Sequence, residues 1–71
     1  MNQVNPKALK NSKWTKVSVS GKEKHFMITS VTFDEQQRVT ECVMEAMITG
    51  NEYQMDWREL KDSVIWKIGW K

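Results

Sequence analysis

Seventy-one residues allow a single domain, close to the size at which one core yields only a few kcal/mol of net stability. One cysteine, Cys42, excludes an internal disulfide, and with a single histidine the soft ligands are too few for a zinc site. The net charge of +2 is unevenly spread. Met1–His25 carries six lysines against Glu23, Phe26–Asp56 six acids against Arg38, and Trp57–Lys71 four bases against two acids. Either the basic start pairs in space with the acidic middle, or it forms a basic face for an anionic partner.

Met1-Asn-Gln-Val-Asn-Pro6 lacks the basic start and apolar run of a signal peptide, and the apolar stretches are too short to span a membrane. With a free thiol, this points to a cytoplasmic protein without a membrane partner. Residues 1–12 read as a flap or short helix, since Asn5 is a good N-cap and Pro6 suits the first helical position. Residues 13–71 read as one small globular domain.

Trp14–Val19 alternates as a first strand, with Thr15, Val17 and Val19 on one side and Trp14, Lys16 and Ser18 on the other. If the aliphatic side faces the core, Trp14 is left at the rim. Ser20-Gly21-Lys22 is a turn. In the second strand, His25–Phe33, the apolar set changes parity from Phe26 and Ile28 to Val31 and Phe33, which predicts a bulge. Asp34–Gln37 is a polar hairpin loop. Val39–Thr49 forms the third strand, with Cys42, Met44, Ala46 and Ile48 on one face. Thr49-Gly50-Asn51-Glu52 is a tight hairpin, followed by a fourth strand with Tyr53, Met55 and Trp57 inward.

Asp56-Trp57-Arg58-Glu59 fits a capping box that opens a helical turn. That helix can continue along Trp57, Leu60, Val64 and Ile68, or stop at Asp62-Ser63 so that Ile65–Trp70 closes the sheet as a strand. The β-branched and aromatic tail favours the strand. The expected fold is mainly β: a small antiparallel, partly closed barrel of SH3-like or Sm-like kind, built from a four-strand meander with short helical turns. The alternative is α+β, a curved four-stranded sheet with a C-terminal helix.

Asn5-Pro6-Lys7, Ser12-Lys13-Trp14-Thr15, Glu23-Lys24-His25-Phe26, Asp56–Asp62, and Trp66 with Gly69-Trp70 together resemble a family of small Trp-rich bacterial proteins described only as conserved and hypothetical. The resemblance spans nearly the whole chain. It implies a free-standing bacterial protein of about this length and brings no catalytic or binding residues with it.

No phosphate loop, metal-ligand cluster or nucleophile triad is present in the sequence, and no cofactor is expected. His25 and Cys42 are the only imidazole and thiol, but Cys42 falls in register with Met44 and Ala46 as a small buried hydrophobe. The expectation is therefore a non-enzymatic binding module. As a protein-interaction adaptor it would use Arg58, Trp66 and Trp70 as anchors. As a single-stranded RNA binder, a reading motivated by the basic first third with Trp14 and Trp70, it would stack a base on Trp14, with Lys13, Lys16, Lys24 and Lys67 holding phosphates. A homodimer is a further way for so small a core to gain stability.

Overall fold

Five strands and two 3-10 turns make up the chain: β1 (Lys13–Ser20), β2 (Glu23–Phe33), β3 (Val39–Ala46), β4 (Glu52–Gln54) and β5 (Trp66–Ile68), with the turns at Pro6–Ala8 and Trp57–Lys61. The computed structural model describes the backbone of residues 1–71 and every side chain apart from those of Val19 and Ser20. The strands form one sheet in the order β4-β3-β2-β1-β5, every neighbouring pair antiparallel. The mainly-β expectation holds, and so does the strand reading of the tail. The partly closed barrel is replaced by an open sheet, in which β4 and β5 are opposite edges and no pairing joins them. Each edge strand has only three residues, roughly 10 Å of chain, which is too short to wrap around and close. The C-terminal helix alternative falls as well, because Trp66–Ile68 pairs with β1. No helix is long and apolar enough to cross a membrane.

The parity change in β2 has the expected cause. Ile28 lies opposite Met44 while Ser30 lies opposite Val43, so Thr29 is the extra residue of a bulge. Phe26 and Ile28 on one side of it are buried, and Val31 on the other packs against the same core. Beyond a second shift in register Phe33 is exposed. The third strand stops at Ala46, short of Thr49, because the Gly50 amide bonds back to the Ala46 carbonyl at 2.8 Å. Gly50 takes φ +75° there, a backbone state that other residues adopt with strain. Ile48 is thereby carried into the turn and exposed.

The core lies on one face of the sheet. Trp14 stands opposite both Phe26 and Ile68, Phe26 opposite Ala46, and Ile28 opposite Met44. This reverses the expectation for β1: the tryptophan side faces inward and Val17 is exposed, while the expected inward Val19 lies outside the described side chains. Burying one indole removes far more apolar area than burying a valine. Tyr53 does lie on the core face, opposite Met44 and edge-on to Phe26, but at the sheet's edge it stays exposed.

Two short segments cover this face. The first 3-10 turn is capped by the Asn5 side chain, which accepts the Lys7 amide at 3.0 Å, and it delivers Leu9 to the core. The second delivers Leu60. Asn2 fastens them together. Its side-chain amide donates to the Leu60 carbonyl at 2.9 Å and the Trp66 carbonyl at 2.7 Å, and its backbone N–H donates to Lys61. Leu9 is fully buried, so Leu9→Ala should cost about 2–5 kcal/mol, enough to leave a domain this small largely unfolded. A urea titration followed by near-UV circular dichroism would read this directly, and a shift under about 1 kcal/mol would show that the flap is dispensable.

A polar latch joins the β1–β2 end of the sheet to the β3–β4 hairpin. The Glu23 carboxylate accepts from the Thr49 hydroxyl at 2.6 Å, the Tyr53 hydroxyl at 2.7 Å and the Asn51 amide at 3.2 Å. The Thr49 and Tyr53 bonds hold its pKa below the ordinary 4.5, with smaller help from Asn51 and the Lys16 charge. Its stabilisation is complete above about pH 4.5 and is lost as pH falls through the lower folded value. Glu23→Gln should flatten the fall in stability below pH 4.5, as measured by thermal melts across pH 2–7.

Candidate functional site

Beside β3 the sheet is incomplete. β4 pairs only with Val43, Met44 and Glu45, and the last link is the Met55 amide to the Cys42 carbonyl at 2.9 Å. At Asp56 the chain turns away into the second 3-10 turn. Among the described residues Val39–Glu41 are therefore paired to β2 on one side and to no strand on the other. The gap is an open cleft of about 1010 Å³, walled by the Asp34–Arg38 loop and by Met55–Glu59. Val39, Met55 and Trp57 give it apolar surface and pack against the core behind it. Lys61 rests over the Trp57 ring at 5.0 Å.

Arg38 and Arg58, the only arginines in the chain, stand on opposite walls of this cleft. Each is held by an aspartate nearby in sequence. Arg38 Nε lies 3.2 Å from Asp34, whose other oxygen accepts the Gln36 and Arg38 backbone amides at 2.9 Å. Arg58 bonds Asp56 through Nε at 3.1 Å and Nη2 at 3.0 Å. The Arg38 amide is the main cause that holds the Asp34 carboxyl below its usual range, and the Arg58 side chain does the same for Asp56. The expected capping box is thus only half formed: Asp56 accepts the Arg58 amide at 3.0 Å, and its remaining capacity goes to the Arg58 guanidinium and not to a box with Glu59.

The predicted surface residues divide among separate places. Arg58 reaches the cleft. Trp14 and Trp66 are each only 4 % exposed, so neither can stack a ligand or anchor a partner in this fold. The Trp14 indole N–H is satisfied by the Ser12 hydroxyl at 2.9 Å, and Trp66 meets Phe26 edge-on. Lys16 is opposite Trp66 and half-buried, and Lys24 is exposed. Lys13, Lys67 and Trp70 belong to the face away from the core. Gly69, at φ +81°, turns the tail over Thr15, where the Lys71 amide donates to the Thr15 hydroxyl and the Trp70 indole to the Phe26 carbonyl at 3.0 Å. Trp70 keeps 44 % of its surface exposed, with the Lys13 ammonium 5.0 Å from the ring and His25 at 6.1 Å.

His25 and Cys42 do not form a pair: Cys42 lies opposite Val31, six residues along β2 from His25. Cys42 is buried beneath the cleft, and burial, with the Asp56 charge as a lesser cause, pushes its thiol pKa up. Sequence reasoning missed Arg38, Val39 and Glu41 as cleft residues. The available signal was that both arginines follow an aspartate by two or four positions, at the two ends of the segment that forms β3 and β4.

The family model described as tryptophan-rich protein (DUF2389) matches residues 12–71. The chain belongs to this family. All four tryptophans and the whole cleft except Pro6 fall within the DUF2389 segment, whereas Asn2 and Leu9, which tie the flap to it, fall outside. No curated protein and no solved structure matches the chain.

The exposures have a direct optical consequence. Trp70→Phe should remove more of the acrylamide-quenchable emission than Trp14→Phe or Trp66→Phe. Equal losses from the three variants would contradict the burial assigned to Trp14 and Trp66.

Proposed function

We propose that this chain is a non-enzymatic protein-interaction module that docks a partner polypeptide in the cleft beside β3. The observation that carries the reading is the union of a half-buried tryptophan with two arginines fixed at opposite walls. Tryptophan and arginine are common binding anchors, and an arginine already oriented by a carboxylate loses less freedom when it binds. The anchor set expected from sequence shifts accordingly, from Arg58, Trp66 and Trp70 to Arg58, Arg38 and Trp57.

Selection of displayed random peptides on the folded protein tests this. Peptides should be enriched, should shift the backbone amide signals of residues 38–42 and 55–59, and should bind at least about tenfold more weakly to Arg38→Ala/Arg58→Ala. If no peptide rises above background, the reading fails.

A second reading, single-stranded RNA binding through a lysine and tryptophan face, rests on a different observation. Trp70 is half exposed beside Lys13 and His25, and Lys67 lies on the same face through its register with Thr15. The Lys13 ammonium sits where a stacked base would lie and could move to its phosphate. Short single-stranded RNA at low salt should then shift the Lys13, His25 and Trp70 signals, with affinity falling steeply as salt rises. Unchanged spectra remove this reading.

A further inference from the structure

We infer that the occupant of the cleft is an extended segment bearing lysine or arginine side chains, added as a strand to the free edge of β3. This rests on the docking role proposed for the same cleft.

The backbone supplies the first half of the argument. Val39 and Glu41 lie opposite Phe33 and Thr32 on β2, while β4 has ended before it reaches them. A strand edge left unpaired in this way is a template for another strand, which would lie about 4.8 Å away. The outer edge of β4 is also free, but all of Glu52–Gln54 is exposed, so that edge has no walls to select a guest. At the other end of the sheet, the Asn2 side chain already occupies the Trp66 carbonyl of β5. Among the described residues, the β3 edge combines open backbone with apolar surface, from Val39, Met55 and Trp57, for alternate side chains of an added strand.

Charge supplies the second half. Asp34 and Asp56 are neutralised by their own arginines. Two further carboxylates line the cleft. Glu41 gives one oxygen to the Gln54 amide at 2.9 Å and keeps the other, and among the described residues Glu59 has no side-chain partner. The unspent charge is thus negative and lies on Glu41 and Glu59, which favours a cationic guest. Both guanidiniums retain N–H groups beyond those bonded to aspartate, and these can donate to the guest's backbone carbonyls without needing its side chains to be acidic.

The test compares synthetic ten-residue peptides of alternating valine and lysine, valine and glutamate, or valine and serine, titrated into the whole protein and followed by backbone amide shifts. The lysine peptide should bind at the signals of residues 39–41 and 55–59. It should weaken about tenfold against Glu41→Gln/Glu59→Gln, and should lose binding when its own alternate amides are N-methylated. Thermal melts check that the double variant stays folded, and the N-methylated peptide tests the strand mode without altering the protein. Tighter binding of the glutamate or serine peptide, or insensitivity to N-methylation, overturns the inference and leaves docking in the cleft standing. Concentration-dependent self-association that perturbs residues 39–41 also overturns it, by making a second copy the occupant. If no peptide perturbs the cleft, and displayed-peptide selection also finds none, the docking reading itself fails.

Discussion

The edge-to-face contact between Phe26 and Trp66, with centroids 5.3 Å apart and planes at 83°, is the interaction on which the sheet's far end depends. β5 has three residues, and a three-residue ladder alone cannot hold a strand in water. The aromatic pair contributes about 0.5–1.5 kcal/mol beyond the area it buries. Its larger effect is positional: it ties β5 to β2 across the intervening β1, beside Trp14. The tail's later bonds, from Thr15 to the Gly69 carbonyl and from Trp70 to the Phe26 carbonyl, need β5 already in place. So does the Asn2 bond to the Trp66 carbonyl, which brings the flap and Leu9 down over the core.

A core confined to one face leaves the charge segregation of the sequence largely intact. Among the described residues, both ion pairs are local, Arg38 with Asp34 and Arg58 with Asp56, and neither joins the basic start to the acidic middle. The expected cancellation by spatial pairing is not what the fold uses. β3 and β4 carry Glu41, Glu45 and Glu52 with no base, and β5 and the start of β1 carry Lys13, Lys16 and Lys67 with no acid. The sheet therefore has an acidic edge and a basic edge. Glu23, an acid at the basic end bonded to Thr49, Asn51 and Tyr53, gives the two halves a side-chain tie.

Much of the fold was legible because alternation and turn chemistry act locally. The β2 bulge was written in the parity of Phe26, Ile28 and Val31, the Asn5 cap in its dipeptide with Pro6, and the strand character of the tail in Ile65–Ile68. What was not legible depended on competition between faces. β1 offers a valine side and a tryptophan side, and periodicity cannot say which wins. The answer follows from Phe26 across the ladder, which places the larger group inward. The cleft was hidden for a related reason: it is made by an absence, the early end of β4, and the spacing of apolar residues from Tyr53 to Trp57 looks like continued strand. The Asp56–Arg58 pair that turns the chain away is visible in sequence only as two neighbouring charges.

Economy of aromatic surface links the core to the kind of recognition this chain can offer. In a domain of 71 residues, two of four tryptophans are buried to hold the sheet and a third is half-buried against the core. Little aromatic area remains for a deep anchor pocket of the kind larger domains present. What the sheet does leave free is backbone along β3 and carboxylate at Glu41 and Glu59, neither of which costs the core any packing. Backbone pairing reads an extended shape while tolerating varied side chains, and charge selects among them. On the docking proposed above, such a fold would read its partner chiefly by strand edge and charge, with Trp57 as the aromatic contact in the cleft.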